Sequence, residues 1–408
     1  MTDGPALPPP AKRSWLPGGG GPAALLAFGA LLVGAVLSLA LLFGRFDLGA
    51  GPNPGGGGGR TPNASVIVTP APSPSAPPAF AGTILFAQGG NIWAINGRSV
   101  EQLSQTGHDA MPAWSPDGRS IVLVETRSET SRLVCAAALS TYQLDYPVLV
   151  RMAADGSSRQ DIKSGLIHEA SAGRDFFRWL LQPAVSPDGT TIALVGDAQD
   201  PCRRTTSVSH VTLATLPFGG GSLTSLGVPD DYPQGHDDPQ WSPDGTRLAF
   251  TYNARSGSIG APKIGLLTMK GRGLRILISG GYAQPAWSPD GLYLAAVRTT
   301  GSGRDIVVIR VRDGAVVARL TADGRSFAPI WAPDGTAIAY LKLTDLGVDL
   351  HLLQLEPPAA PGAVPVLAGD LALTDSAAID PLSRPSWFDP AVAPAPAAPS
   401  PTPSASLP

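Results

Sequence analysis

One pattern of apolar, proline and turn-forming residues recurs along the chain. Its first copy, MPAWSPDGRSIVLV, occupies residues 111–124. Four further copies and a remnant without the glycine follow, at residues 182–195, 238–250, 284–297, 328–340 and 384–390. Repetition at intervals of tens of residues is typical of propellers and solenoids, so this pattern decides the fold class.

Each copy predicts a tight turn between two strands. The proline presets φ for the second turn position, the aspartate can accept hydrogen bonds from nearby backbone, and the glycine tolerates positive φ. The result is a β-hairpin. The turn residues are Asp117 and Gly118, Asp188 and Gly189, Asp244 and Gly245, Asp290 and Gly291, and Asp334 and Gly335.

A tryptophan before the turn and an apolar run after it complete the repeat. The indole is a large flat body suited to packing between stacked sheets. Runs such as residues 121–124 and 192–195 are apolar throughout, which predicts strands buried on both faces. The tryptophans are Trp114, Trp241, Trp287, Trp331 and, in the remnant, Trp387.

The spacing of the turns predicts a six-bladed β-propeller over residues 82–390, an all-β fold. The turn aspartates, ending with Asp389, follow one another at intervals of 71, 56, 46, 44 and 55 residues, long enough for one four-stranded blade each. The remnant supplies one innermost strand. Three strands at residues 83–87, 91–95 and 99–104 precede the first copy. A sixth blade built from both ends would close the ring without an open edge.

The repeat PxWSPDGxxIAF resembles that of TolB-type propellers, also described as WD40-like or PD40 repeats. The resemblance covers residues 82–390 and implies the six-bladed propeller fold. The chain departs from the pattern at Val185, at Ala332 and in its degenerate sixth turn, and no α/β domain precedes the propeller as in TolB. Similar repeats also precede the catalytic domain of prolyl-oligopeptidase-like enzymes, but no GxSxG nucleophile motif occurs in this chain.

The segments outside the repeats predict an anchor and two linkers. Residues 23–43 are apolar apart from Ser38 and long enough to cross a bilayer as a helix, although a cleaved signal peptide is the alternative. Lys12 and Arg13 favour a cytoplasmic tail at residues 1–22 and an extracytoplasmic propeller, hence a single-pass protein of the cell membrane. Residues 44–81 form a Gly/Pro-rich linker and residues 391–408 a Pro/Ala/Ser-rich disordered tail.

Charge and motifs exclude several functions. The net charge is −3, with 15% charged residues, which does not fit a nucleic-acid binder. No phosphate-binding or dinucleotide-binding glycine loop occurs, so neither a cofactor nor a catalytic residue is predicted.

Polar residues just before each innermost strand are the candidate ligand-binding set, because these loops gather at one mouth of a propeller channel. Histidine and carboxylate groups there could hold a divalent cation. Alternatively, they could line a water-filled mouth and form hydrogen bonds with water or backbone. The set comprises His108, Asp109, His236, Asp237, Asp238, Tyr282, Gln284, Arg325 and Arg384.

Two insertions enlarge the first two blades, at residues 127–146 and 164–181. The second contains the apolar run 176–181, which is interpreted as a loop that either caps the propeller or binds a partner. Cys135 and Cys202 lie between second and third strands of adjacent blades. Outside the cytoplasm they could form a disulfide, and two free thiols are the alternative.

Together these features favour a non-catalytic module that binds a protein, peptide or envelope component through its loops. The alternative is a propeller enzyme or a small-ligand or metal-binding receptor that uses the channel mouth.

Overall fold

The computed structural model describes residues 80–97, 99–135, 138–169, 173–199, 212–228, 235–252, 261–301 and 303–392, and all regular elements within these ranges are β-strands. In chain order the first twelve are β1 (Thr83–Gln88), β2 (Asn91–Ile95), β3 (Val100–Gln102), β4 (Asp109–Trp114), β5 (Ser120–Cys135), β6 (Ala138–Ala153), β7 (Gln160–Ser164), β8 (Leu166–Glu169), β9 (Arg174–Val185), β10 (Thr191–Gln199), β11 (Thr212–Pro217) and β12 (Thr224–Ser225). The remaining strands are β13 (Asp237–Trp241), β14 (Arg247–Tyr252), β15 (Lys263–Thr268), β16 (Leu274–Ser279), β17 (Tyr282–Trp287), β18 (Tyr293–Thr300), β19 (Gly303–Arg310), β20 (Val316–Arg319), β21 (Ser326–Trp331), β22 (Ala337–Thr344), β23 (Gly347–Leu355), β24 (Leu367–Ala372) and β25 (Ser386–Phe388).

These strands form six antiparallel sheets, the blades of a propeller. Blades one to five are β4–β7, β8–β12, β13–β16, β17–β20 and β21–β24, and blade six has the strand order β25-β1-β2-β3. The six-bladed fold expected from the repeat is confirmed. We call the end of the central channel where the innermost strands begin the upper mouth, and the end where they reach the SPDG turns the lower mouth.

The SPDG turns have the predicted geometry. In the first, Gly118 has φ of 66° and its N–H donates to the Ser115 carbonyl at 2.9 Å. Asp117 Oδ1 accepts from the Ser115 hydroxyl at 2.6 Å and from the Arg119 N–H at 3.1 Å. The aspartate thus folds the turn around its own carboxylate, which is the role expected for it.

The core lies between the blades. Each second strand is buried on both faces, as in residues 121–124 of β5, and the apolar clusters join neighbouring blades. The indoles pack against the preceding blade and bond it: Trp241 Nε1 donates to the Ala184 carbonyl at 3.0 Å and Trp287 Nε1 to the Gln240 carbonyl at 3.1 Å. The tryptophans therefore hold adjacent blades together, as expected of wedges.

The ring closes where the two ends of the domain meet. β25 pairs antiparallel with β1, with Thr83 opposite Phe388 and Leu85 opposite Ser386. Phe388 stands where four other copies have serine and one has alanine, and its ring lies 5.6 Å from that of Trp114 in blade one. One strand from the C-terminal side thus completes a blade whose other three strands come from the N-terminal side.

The two insertions form hairpins rather than loops. β5 and β6 stay paired from Ser120 and Ala153 to Cys135 and Ala138, far beyond the upper end of blade one. The run 176–181, interpreted from sequence as a loop, belongs to β9, which pairs with β8 on one side and β10 on the other. We call the part of β5–β6 from residue 127 to 146, with β8 and the start of β9, the wall.

Several expectations fall outside the described residues: the cytoplasmic tail at 1–22, the apolar segment 23–43, the linker up to residue 79 and the C-terminal tail from residue 393. Within the described ranges no helix has the length and hydropathy to cross a bilayer. Cys202 also lies outside them, so its pairing with Cys135 at the end of β5 stays a prediction.

Candidate functional site: the central channel

A ring of residues that precede proline surrounds the channel. In five blades this residue is a non-glycine with φ between 50° and 57°, a region that such residues rarely adopt. The strand pairing shifts register at the same place, which marks a β-bulge in each innermost strand. The ring consists of Met111, Gln182, Asp238, Gln284 and Ala328, with Arg384 at the matching position of the sixth copy.

The bulge turns each backbone N–H of the ring toward the preceding blade. The Asp238 N–H donates to Gln182 Oε1 at 2.7 Å, and the Ala328 N–H donates to Gln284 Oε1 at 2.9 Å. Between these pairs, Thr251 Oγ1 accepts from the Gln284 N–H and donates to Asp238 Oδ2, both at 2.8 Å. Side chains of one blade thereby hold the backbone of the next, and the channel wall is fixed in position.

The seam joins the same ring. The Met111 N–H donates to Ser383 Oγ at 2.6 Å, and the Trp114 N–H donates to Ser386 Oγ at 3.0 Å. Ser383 is fully buried beside Arg384. The segment leading into β25 is therefore tied to blade one by its serine hydroxyls.

Arg384 is the cation of the ring. Its Nη1 donates to the Pro285 carbonyl at 2.9 Å, so the side chain reaches from blade six past blade five to blade four. Its Nε and Nη2 are covered by protein and have no hydrogen-bond partner among the described residues. Burial lowers the pKa of Arg384 below its ordinary value, and the negative charge of Asp238 opposes that shift. The residue as a whole is half-buried.

Three members of the sequence-derived set point between the blades instead. Asp109 is 1% exposed and pairs with Arg159, whose Nη2 lies 2.8 Å from Asp109 Oδ1. His236 is fully buried, with its ring centroid 4.6 Å from that of Tyr252. Tyr282 is buried, with the Arg298 guanidinium 5.9 Å from its ring centroid. Their surroundings are those of core and ion-pair residues.

Two further members are exposed, and one is half-buried. His108 is exposed, and the Arg325 Nη1 atom pairs with Asp345 Oδ1 at 2.9 Å in an exposed ion pair. Asp237 is half-buried at the start of β13. The structure therefore brings Asp238, Gln284 and Arg384 together at the channel and leaves the other six elsewhere. Within the described part of the chain, no group of three or more His, Cys, Asp or Glu side chains could hold a metal ion.

Met111, Gln182, Ala328 and Ser383 also belong to the site but are not among the residues predicted from sequence. The first three could have been found by aligning the copies on their first proline, because the residue before it is the one that bulges. Ser383 carries no such signal, since its partner Met111 is 272 residues away in the chain.

Comparison with known proteins supports the fold. No protein-family model matches the chain, and no curated protein matches it. Among solved structures, TolB from Acinetobacter baumannii aligns with a TM-score of 0.53 and 17% identity, over 75% of this chain and 66% of that one. A putative TolB from Agrobacterium tumefaciens aligns with a TM-score of 0.47 and 18% identity, over 72% of this chain and 90% of that one.

A chain from a nidogen/laminin complex aligns with a TM-score of 0.49 and 14% identity, over 75% of this chain and 97% of that one. The first of the three alignments confirms the resemblance to TolB at the level of the propeller fold. This chain matches slightly less than two thirds of the length of that TolB. The assignment of the repeat itself to the WD40-like family stays a prediction, since no family model matches.

Proposed function

We propose that this chain is a non-catalytic binding module: a propeller outside the cytoplasm, anchored by residues 23–43, that receives a protein or peptide partner at its upper mouth. The observation that carries the proposal is the uncompleted guanidinium of Arg384 in the channel. Alkaline carbonate extraction and protease access in intact cells check the anchor and the side of the membrane.

The free edge of Arg384 fits a carboxylate. Nε and Nη2 lie on the same edge of the planar guanidinium, and their two N–H bonds match the two oxygens of a carboxylate in a bidentate pair. A buried charged group without partners is costly, on the order of 1–3 kcal/mol or more per unmet group. An acidic side chain or a C-terminal carboxylate of a partner would complete both bonds.

Entry of such a group requires only a local movement. Nε and Nη2 are covered, but within the described residues the bond from Nη1 to the Pro285 carbonyl is the only hydrogen bond that holds the guanidinium. Rotation of the Arg384 side chain, with Nη1 kept on the Pro285 carbonyl, would turn the edge that carries Nε and Nη2 toward the channel. Asp238 carries a like charge to the ligand, so it weakens binding and favours release.

The wall supplies the surface for a larger partner. It stands at the upper mouth beside blades one and two, and its two hairpins are joined where Ser131 Oγ donates to Asp175 Oδ2 at 2.8 Å. Leu144 and Ser131 of this hairpin are both buried, so the wall is a packed structure. Blades four and five have short connections on the same face. A partner resting on those blades would meet the wall at its side.

Calorimetry on the full chain in detergent tests the Arg384 site. We expect an N-acetylated tetrapeptide with a free C-terminus to bind and its C-terminal amide not to bind. Arg384→Met should weaken binding at least tenfold. Arg384→Lys should weaken binding less than Arg384→Met does, and Asp238→Asn should strengthen it. Arg384→Met should also raise the unfolding temperature, because it removes a buried charge that the fold leaves unpaired.

The control is Arg325→Met, which removes an exposed arginine near the same face. Acetate and succinate distinguish a free small carboxylate from a peptide terminus, and photo-crosslinking from exposed Thr130 of the wall, compared with exposed Arg312 near the lower mouth, tests for a protein partner. Equal binding of acid and amide, or binding by Arg384→Met at wild-type strength, would contradict the proposal.

A further inference from the structure

The lower mouth of the channel holds an aromatic cavity. Its volume is about 210 Å³, and it is lined by residues of blades three, four, five and six, so it lies where the ends of the innermost strands converge. We call it the aromatic funnel. Its principal lining residues are Trp241, Trp287, Trp331 and Trp387 with Pro243, Pro289 and Pro333.

Among the described residues, no charged side chain lines the funnel, and Gln240 is its one polar residue besides the tryptophans. Three of the four indole N–H groups are already used, by the carbonyls of Ala184, Gln240 and Ala81, so these indoles have no donor left for a ligand. The Trp331 N–H is buried without a partner. Grooves lined by aromatic side chains are the surfaces on which proline-rich segments dock, because the extended polyproline conformation is already formed.

A proline-rich segment of this chain begins beside the funnel. β25 runs toward the lower mouth and contains the lining residue Trp387, and the described chain ends at exposed Val392 after a turn at Asp389. Residues 393–408, APAPAAPSPTPSASLP, have prolines at 394, 396, 399, 401, 403 and 408 and no charged side chain. In an extended polyproline conformation residues 393–403 would span about 34 Å, ample to reach the channel axis.

We propose that the aromatic funnel is the docking site of the chain's own C-terminal tail, with residues 393–403 as the occupant. The linker is the competing segment, since residues 70–78 are also rich in proline. Its end is already committed elsewhere: the Phe80 ring packs edge-on against Trp387 at 5.4 Å, and the Ala81 carbonyl accepts the Trp387 N–H. Neither residue lines the cavity.

The test uses fluorine NMR of the full chain labelled with 5-fluorotryptophan, with the eight signals assigned by single Trp→Phe variants. Ending the chain at Val392 should shift the signals of the four funnel tryptophans and leave Trp93 unchanged, since its indole bonds the Gln88 carbonyl in blade six. Adding a synthetic peptide of residues 393–408 to the shortened chain should return the funnel signals to their full-chain positions.

The matched variants separate the two proline-rich segments. Replacing Pro394, Pro396, Pro399 and Pro401 with serine should reproduce the effect of truncation. The same change at Pro70, Pro72, Pro74 and Pro77 should have no effect. Unchanged funnel signals after truncation, a response to the linker variant instead, or a shift that depends on protein concentration and so reveals a second copy would each overturn the proposal.

Discussion

At the scale of single residues, the glycine of the SPDG turn does two different jobs. In blade four, Gly291 has φ of 69°, and a methyl group there would meet nothing closer than Pro243 Cδ at 3.8 Å. In blade one, Gly118 has φ of 66°, but a methyl group there would lie 2.1 Å from Phe388 Cε1. Gly118 is therefore needed for the turn and also for the packing of the seam.

We expect Gly118→Ala to destabilise the protein more than Gly291→Ala. Both changes place alanine at positive φ, a cost of about 1–3 kcal/mol. Gly118→Ala also overpacks the seam, which adds about 1–3 kcal/mol. Chemical denaturation of the two variants measures the difference in the free energy of unfolding. Adding Phe388→Leu should recover part of the loss in Gly118→Ala and none in Gly291→Ala, and an equal cost of the two alanine changes would contradict this account.

Sequence predicted the turn residues well because their geometry is local. Asp117, Gly118 and Trp114 act on neighbours within a few residues or on the adjacent blade, and the repeat shows them several times. It predicted the binding residues less well because their partners are remote. The position of Asp109 in the repeat predicts a channel residue, yet its partner Arg159 lies immediately before the outermost strand of the same blade, 50 residues away. Nothing in the repeat reports that ion pair.

At the scale of elements, the wall departs from the repeat and carries its own support. Arg127, at its base, bonds Glu125 and Asp161, with its Nη2 3.0 Å from Glu125 Oε2 and its Nη1 2.7 Å from Asp161 Oδ2. Arg159 joins this network through Glu125 at 3.1 Å. The network ties the wall's first strand to the outer strand of blade one.

The hydrogen bond from Arg127 lowers the pKa of Glu125 below its ordinary value of 4.5, against the opposing effect of burial. A carboxyl whose pKa is lowered on folding adds stability above its ordinary pKa and loses that contribution as the pH falls through the folded value. Glu125→Gln should therefore cost about 1 kcal/mol at pH 7, and the difference from wild type should shrink as the pH falls below the ordinary pKa of 4.5.

Denaturation curves at pH 7, 5 and 3.5 measure the effect. Glu129→Gln is the matched control, because half-buried Glu129 lies further along the same strand and has no part in the ion pairs of Arg127 and Arg159. A difference between Glu125→Gln and wild type that is as large at pH 3.5 as at pH 7 would mean that the side chain acts through packing and not through its charge.

Sequence analysis located the wall but not its structure. Residues 127–146 were recognised as an insertion because the interval between turns was too long for one blade. That they continue β5 and β6 as one hairpin follows from pairing across the whole length, and periodicity within so polar a segment does not reveal it. The run 176–181 was apolar enough to suggest packing, yet it is half-buried strand, since β10 and β8 flank it.

At the scale of the whole molecule, three residue pairs between β25 and β1 close the ring. β25 contributes only Ser386–Phe388, but Trp387 is 8% exposed in the largest apolar cluster, and Ser386 and Phe388 both contact blade one. Closure was predictable from sequence because the remnant at 384–390 lacked three strands and the region before residue 104 had three to spare. The hydrogen bonds to the Ser383 and Ser386 hydroxyls that secure the closure were not predictable from sequence.

Ending the chain at Pro385 should open the ring at this seam. β1 would become an edge strand with no partner on its inner side, and Ile84 and Phe86, now almost fully buried, would lose their cover. Hydrogen exchange measured by mass spectrometry should show faster exchange of β1 amides, with a lower unfolding temperature.

The chain ending at Val392 keeps β25 and serves as the control, which also separates this effect from that of the tail. A peptide of residues 382–392 should restore protection of β1 by adding the missing strand. Protection of β1 that survives the loss of β25 would mean that blade six is complete without it, and that closure of the propeller does not depend on the C-terminal strand.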